Sequence, residues 1–195
     1  AVNLMAEVSR PMVVNEVEVI TRVSAGIASA PAAGDSGELL LQAADLALNH
    51  ARVRGKGNVA TYRDSLREGA VRKLREANAV TTAARTGAFH FDYQPVVGIP
   101  SGSPLAMEAL MRWDGGAELG RPDAFIPVAE SIGELTSMLR TLVPPALAGL
   151  ARWRGLAPQL ALTINMHADA LLDADLEAWL VGCLEDAQVP AAGLI

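Results

Sequence analysis

An α/β fold is the class this sequence predicts, on three observations. Residues 91–97 and 105–113 are aromatic, β-branched and apolar runs separated by the turn formers of 98–104, the pattern of two strands and a turn. Longer segments of helical periodicity lie between and around such runs. Strands alternating with helices at this spacing imply βαβ units and a mostly parallel sheet.

In chain order, residues 1–10 read as the end of an amphipathic helix, with Val2, Met5 and Val8 at helical spacing. Val13-Val14, a polar break at Asn15-Glu16, and the run 17–28 predict a hairpin leading into a longer strand. After a loop at 31–37, Asp35 or Ser36 can cap a helix whose buried stripe is Leu39, Leu40, Ala43, Ala47, Leu48 and Ala51. Gly55 stops that helix, and 58–62 is a short strand. A charged helix runs from Asp64 to Thr86, with Gly87 closing it. Beyond the two strands, Pro122 opens a helix packed through Phe125, Ile126, Val128 and Ala129, with Glu130 on its surface. Residues 135–153 form a further helix or pair of helices, bent at Pro144-Pro145. Residues 160–166 are a buried strand with Asn165 at its carboxyl end. A helix over 173–187 follows, and Leu194-Ile195 begins another strand.

Composition narrows the class of function. With 51% hydrophobic and 19% charged residues, the chain is globular rather than disordered. No apolar run reaches the roughly 18 residues that cross a bilayer. The single Cys183 forms no internal disulfide and suits a reducing, cytoplasmic setting; an anchor in a preceding segment stays open. A net charge of −6 without clustered Lys and Arg speaks against nucleic acid and fits a site that holds divalent cations.

Alternation on the second strand sorts its side chains. Leu105, Met107, Ala109, Met111 and Trp113 share an apolar face, and Ala106, Glu108, Leu110 and Arg112 share the other. A solvated Glu108–Arg112 pair is the plainest account of that pattern. Three motifs suggest a different one. Tyr93-Gln94-Pro95-Val96-Val97, then Glu108-Ala109-Leu110-Met111-Arg112-Trp113, then Phe125-Ile126-Pro127-Val128-Ala129-Glu130 resemble, in order, the opening of an EAL domain. That family hydrolyses the bacterial second messenger cyclic di-GMP to linear pGpG. The resemblance runs from about residue 70 to 195 and ends partway through the family's domain.

Upstream, Val23-Ser24-Ala25-Gly26-Ile27-Ala28, Ala44-Asp45-Leu46-Ala47-Leu48 and the stretch from Ala51 to Asn58 resemble the second half of a GGDEF domain, the family that makes cyclic di-GMP from GTP. The sequence departs from that family at Asn49, where a Tyr is usual, and at Gly55-Lys56-Gly57. The two resemblances divide the chain into residues 1–63 as a GGDEF half, 64–87 as a linking helix and 88–195 as an EAL half. They imply a partial α/β sandwich followed by an incomplete (β/α)8, TIM-type barrel.

What the resemblance implies about chemistry is specific. The family uses the glutamate of its E-A-L motif and the later asparagine, here Glu108 and Asn165, as ligands of Mg²⁺ or Mn²⁺. Its arginine, here Arg112, contacts a phosphate, and Gln94 and Leu110 line the nucleotide pocket. The remaining ligands are expected beyond Ile195. In the GGDEF half, Arg52 and Lys56 occupy positions that contact the triphosphate of GTP; as cations at a helix end they equally complement the helix dipole. The expected partners are cyclic di-GMP, GTP at the GGDEF half and a second copy in a homodimer. Three activities stay open for the parent protein: phosphodiesterase, inactive cyclic di-GMP receptor, or cyclase with an accessory EAL half. His167, where the family has Ser, reads as a surface or capping residue.

Overall fold

The computed structural model describes residues 2–115 and 118–195, so Gly116 and Ala117 in the loop after Trp113 lie outside it. The chain forms two compact units, Ala1–Leu74 and Arg75–Ile195.

The first unit opens with helix α1 (Val2–Val8) and a hairpin of β1 (Met12–Val14) and β2 (Val17–Val19), antiparallel with Val14 opposite Val17. Asn15 and Glu16 both take positive φ, 48° and 65°, as a two-residue hairpin turn of matching twist requires. The long strand expected over 17–28 is not continuous. It is interrupted at residues 20–24 and resumes as β3 (Ala25–Ile27), which pairs in parallel with β4 (Val59–Thr61). The cause is partner choice: β2 is held by β1 next to it, whereas β3 joins a strand more than thirty residues away.

Helix α2 (Gly37–Val53) makes the crossover between β3 and β4, and Ser36 caps it, its Oγ accepting the Leu39 N–H at 3.2 Å. The buried face is Ala43, Ala47 and Ala51. Leu39, expected inside, is 47% exposed, and Leu40 and Leu48 are half-buried. Small residues win because the helix backbone lies directly on Gly26. A Cβ there would stand 2.0 Å from the Ala44 carbonyl oxygen. Gly55, at φ 114°, ends the helical segment as expected.

Helix α3 (Asp64–Thr86) matches the predicted span and stops at Gly87, φ 69°. In the second unit, β5 (Phe89–Val97) and β6 (Pro104–Trp113) pair antiparallel, and β7 (Ala161–Ile164) lies parallel to β6, giving the order β5-β6-β7. Leu194 bridges to Leu162 in parallel, with the Ile195 N–H on the Leu162 carbonyl at 2.8 Å, so a further strand position follows β7.

Helices α4 (Pro122–Ser131), α5 (Leu135–Arg154) and α6 (Leu176–Asp186) cover this sheet. Rather than separating into a pair, α5 runs through Pro144-Pro145 as one element and buries Leu139, Val143, Leu147 and Leu150 against Ala109, Leu162 and Ile164. A second cluster joins Val80 of α3 to Phe89, Trp113, Phe125 and Met138, with the Phe89 ring 5.3 Å from Trp113 and 5.1 Å from Phe125. The helix expected from residue 173 begins later. Residues Ala168–Leu172 form a 3-10 turn, and Asp173 is drawn off to accept the Asp175 N–H and the Arg140 guanidinium before α6 starts.

Candidate active site

The candidate site is one face of the three-stranded sheet. Met107, Ala109, Met111 and Trp113 of β6 point into the two cores, which turns Glu108, Leu110 and Arg112 to the opposite side. The antiparallel register sets Gln94 opposite Glu108, Asp92 opposite Leu110 and His90 opposite Arg112, so these residues share that side. On the other flank Thr163 of β7 is level with Glu108. Asn165 follows two residues later, beyond the end of β7.

There the Asn165 Nδ2 donates to Glu108 Oε1 at 3.0 Å. Sequence reasoning placed both residues near strand ends, and the structure qualifies this. Asn165 lies just past β7, but Glu108 is in the middle of β6, because β6 continues four residues beyond the point where β7 stops pairing. Glu108 is half-buried, while Asn165 and Gln94 are exposed.

Arg112 does not pair with Glu108, contrary to the plainest expectation. Strand rise puts four residues roughly 13 Å apart, and closer acceptors exist. Its Nε donates to Asp92 Oδ2 at 3.0 Å, and its Nη1 to the Met111 carbonyl at 3.0 Å. The structure thus joins Glu108 to Asn165 directly and keeps Arg112 further along the same face. Sequence reasoning passed over Asp92 and His90. The alternation of His90, Asp92 and Gln94 with Phe89, Phe91 and Tyr93 carried the signal, since it marks a polar face on β5 to match the one on β6.

On the core side Tyr93 meets Trp153 edge-on, with ring centroids 4.8 Å apart, and burial raises its phenol above the usual range, partly offset by Arg152. His167 stands at the N-cap position of the 3-10 turn, as expected of a capping residue, but its side chain makes no cap hydrogen bond. It is half-buried, its Nε2 lies 3.3 Å from Thr136 Oγ1, and its Nδ1 is buried without a partner.

In the first unit, Arg52 lies in the last turn of α2 and Lys56 just beyond the helix end. Both line an open cleft of about 990 Å³ with Ile20, Thr21, Arg22, Val23 and Ser24. The interruption between β2 and β3 forms one wall, tied down where the Gly57 N–H donates to Ser24 Oγ at 3.3 Å. Arg22 is a third cation there that sequence reasoning did not single out.

Residues 77–195 match the EAL domain. The chain belongs to the EAL domain family. It is 28% identical over 154 residues to the bifunctional diguanylate cyclase/cyclic di-GMP phosphodiesterase MucR of Pseudomonas aeruginosa, covering 78% of this chain and 22% of that protein. Over 190 residues, 96% of this chain and 24% of the relative, it is 27% identical to the signaling protein YkoW of Bacillus subtilis. The chain therefore spans about a quarter of the length of these curated relatives. Among solved structures, the PaMucR phosphodiesterase in complex with c-di-GMP aligns with a TM-score of 0.56 at 23% identity, over 62% of this chain and 49% of that one. The α/β, TIM-barrel-like fold expected of the EAL half is borne out by that likeness. No helix among the described residues is long and apolar enough to cross a membrane.

Proposed function

We propose that the whole protein hydrolyses cyclic di-GMP to linear pGpG, with this chain's EAL half supplying part of the site. The observation that carries the proposal is the 3.0 Å contact between Asn165 and Glu108, on one face with Gln94, Leu110 and Arg112. Two family positions 57 residues apart in sequence meet as neighbours, and both are oxygen-bearing side chains of the kind Mg²⁺ and Mn²⁺ prefer.

The donor set fits a divalent cation in part. Glu108 offers a carboxylate and Asn165 an amide oxygen, and turning the amide over would direct that oxygen to the same point as Glu108 Oε1. Among the described residues, no group of three or more His, Cys, Asp or Glu could hold an ion by itself. Glu108 and Asn165 thus serve as two of several ligands. When bound, the cation supplies Lewis-acid polarisation of a phosphodiester oxygen.

The other side chains bind and orient. The guanidinium of Arg112 suits a non-bridging phosphate oxygen. Gln94, level with Glu108, can hydrogen-bond a base or ribose edge, and Leu110 between Glu108 and Arg112 offers apolar contact to a base.

Residues 1–63 we infer to be the later half of a GGDEF domain, joined by residues 64–87 to an EAL half of incomplete (β/α)8 form. The parallel β3–α2–β4 unit supports this. Arg52 and Lys56 would hold GTP phosphates in the cleft they line.

The deciding experiment is hydrolysis of cyclic di-GMP by the whole protein with Mg²⁺ or Mn²⁺, followed by chromatography of pGpG. Turnover abolished by Glu108→Gln supports the proposal. Binding without turnover in the unaltered protein would make it a receptor.

A further inference from the structure

Asp92 stands on the same face as the proposed phosphate contact and has no assigned part in it. The strand register sets His90, not Asp92, directly opposite Arg112. Asp92 reaches Arg112 diagonally, to the Nε at 3.0 Å.

A guanidinium grips a phosphate best through two parallel N–H bonds from one edge. Arg112 has two such edges, Nε with Nη2 and Nη1 with Nη2. Asp92 takes the Nε, and the Met111 carbonyl takes an Nη1 hydrogen. Asp92 thus closes the Nε–Nη2 edge, and a two-point grip there requires the carboxylate to leave. The contact is open to exchange, since the side chains of Arg112 and Asp92 are 32% and 59% exposed. The second oxygen of Asp92 is 3.6 Å from His90 Nε2, which gives the carboxylate somewhere to go once it leaves Arg112.

Resting on the proposed role of Arg112, we propose that Asp92 sets the affinity of the site: its carboxylate occupies the Nε–Nη2 edge of the guanidinium, and a phosphodiester gripped by that edge must displace it. Cyclic di-GMP carries two phosphodiester charges, so Asp92 opposes it both by holding Arg112 and by like charge.

The test is calorimetric titration of the whole protein with cyclic di-GMP in EDTA, which stops turnover, for wild type, Asp92→Asn, Asp92→Ala, Arg112→Ala and the double variant Asp92→Asn/Arg112→Ala. Removal of one competing charge-assisted bond should tighten binding about tenfold in both Asp92 variants. That gain should vanish in the Arg112→Ala background. Unchanged or weaker binding by folded Asp92→Asn and Asp92→Ala overturns the inference, weaker binding meaning that Asp92 instead holds Arg112 in position. Equal tightening without Arg112 overturns it too, since the effect would then be general charge. If neither wild type nor Asp92→Asn binds, the cyclic di-GMP reading falls and takes this inference with it. Binding by wild type with no response at Asp92 removes only the inference.

Discussion

Asn165 donates its amide to Glu108 across the junction of β6 and β7, at 3.0 Å, where parallel pairing brings the end of the shorter strand beside the middle of the longer one. That contact fixes the carboxylate before any ligand arrives. It makes the two side chains a unit, whose members should not be independent on substitution.

The first prediction follows. Mn²⁺ binding to the whole protein, followed by calorimetry, should weaken at least tenfold in Glu108→Gln and in Asn165→Ala, in the range seen when metal-orienting groups are lost. The double variant should lose little more than the worse single. Losses that add in full would show two separate contributions, and the pair would then be no joint ligand.

Arg52 and Lys56 carry the second. Changing both to Ala should weaken GTP binding by the whole protein by on the order of 1.5–3 kcal/mol per lost charge-assisted bond and leave cyclic di-GMP binding unchanged. Unmoved GTP affinity would return both cations to the role of completing the helix end.

Why some of this could be read from the chain and some could not is a matter of the range of the forces involved. The strand pair of residues 89–97 and 104–113 is visible because alternation and a Gly/Ser/Pro turn are local. The span of α3 is visible for the same reason, closed by Gly87. The break at residues 20–24 is not, since only pairing with Val59–Thr61 pulls β3 away from β2. The buried face of α2 was misjudged at Leu39 because hydrophobicity favours leucine, while the helix rests on Gly26 through the backbone of Ala44 and Leu48 and buries Ala43, Ala47 and Ala51. Glu108 and Asn165 were found through their motifs, not their spacing. Asp92 was missed because a polar residue on an alternating strand looks like solvated surface until its partner Arg112 is placed.

A third prediction concerns pH. Arg140 donates to Asp173 at 2.7 Å and stacks over Trp179 at 5.0 Å, joining α5 to the start of α6. The Arg140 hydrogen bond, helped by the Asp175 N–H, holds the Asp173 carboxyl below its usual 3.8. A carboxyl depressed in the folded state stabilises above its unfolded value and loses that contribution as pH falls through its folded value. The denaturation midpoint of wild type should therefore exceed that of Asp173→Asn at neutral pH, and the gap should close as pH drops below 3.8. A gap that stays constant with pH would mean packing, not charge, sets the difference.

The last prediction tests the first unit alone. Gly26 lies under α2 so closely that a Cβ would fall 2.0 Å from the Ala44 carbonyl oxygen and 2.3 Å from the Leu48 nitrogen. Both are helix backbone and cannot turn aside as a side chain would. Gly26→Ala must therefore lift α2 off β3, opening the contact of Ala43, Ala47 and Ala51 with the strands below. Overpacking usually costs about 1–3 kcal/mol, and a clash with backbone belongs at the top of that range. The denaturant midpoint for this unit should fall accordingly, and amides of α2 should exchange faster with solvent. Gly37→Ala is the control, because a Cβ there meets nothing within 4 Å. If the two variants are equally stable, α2 does not rest on β3 at Gly26.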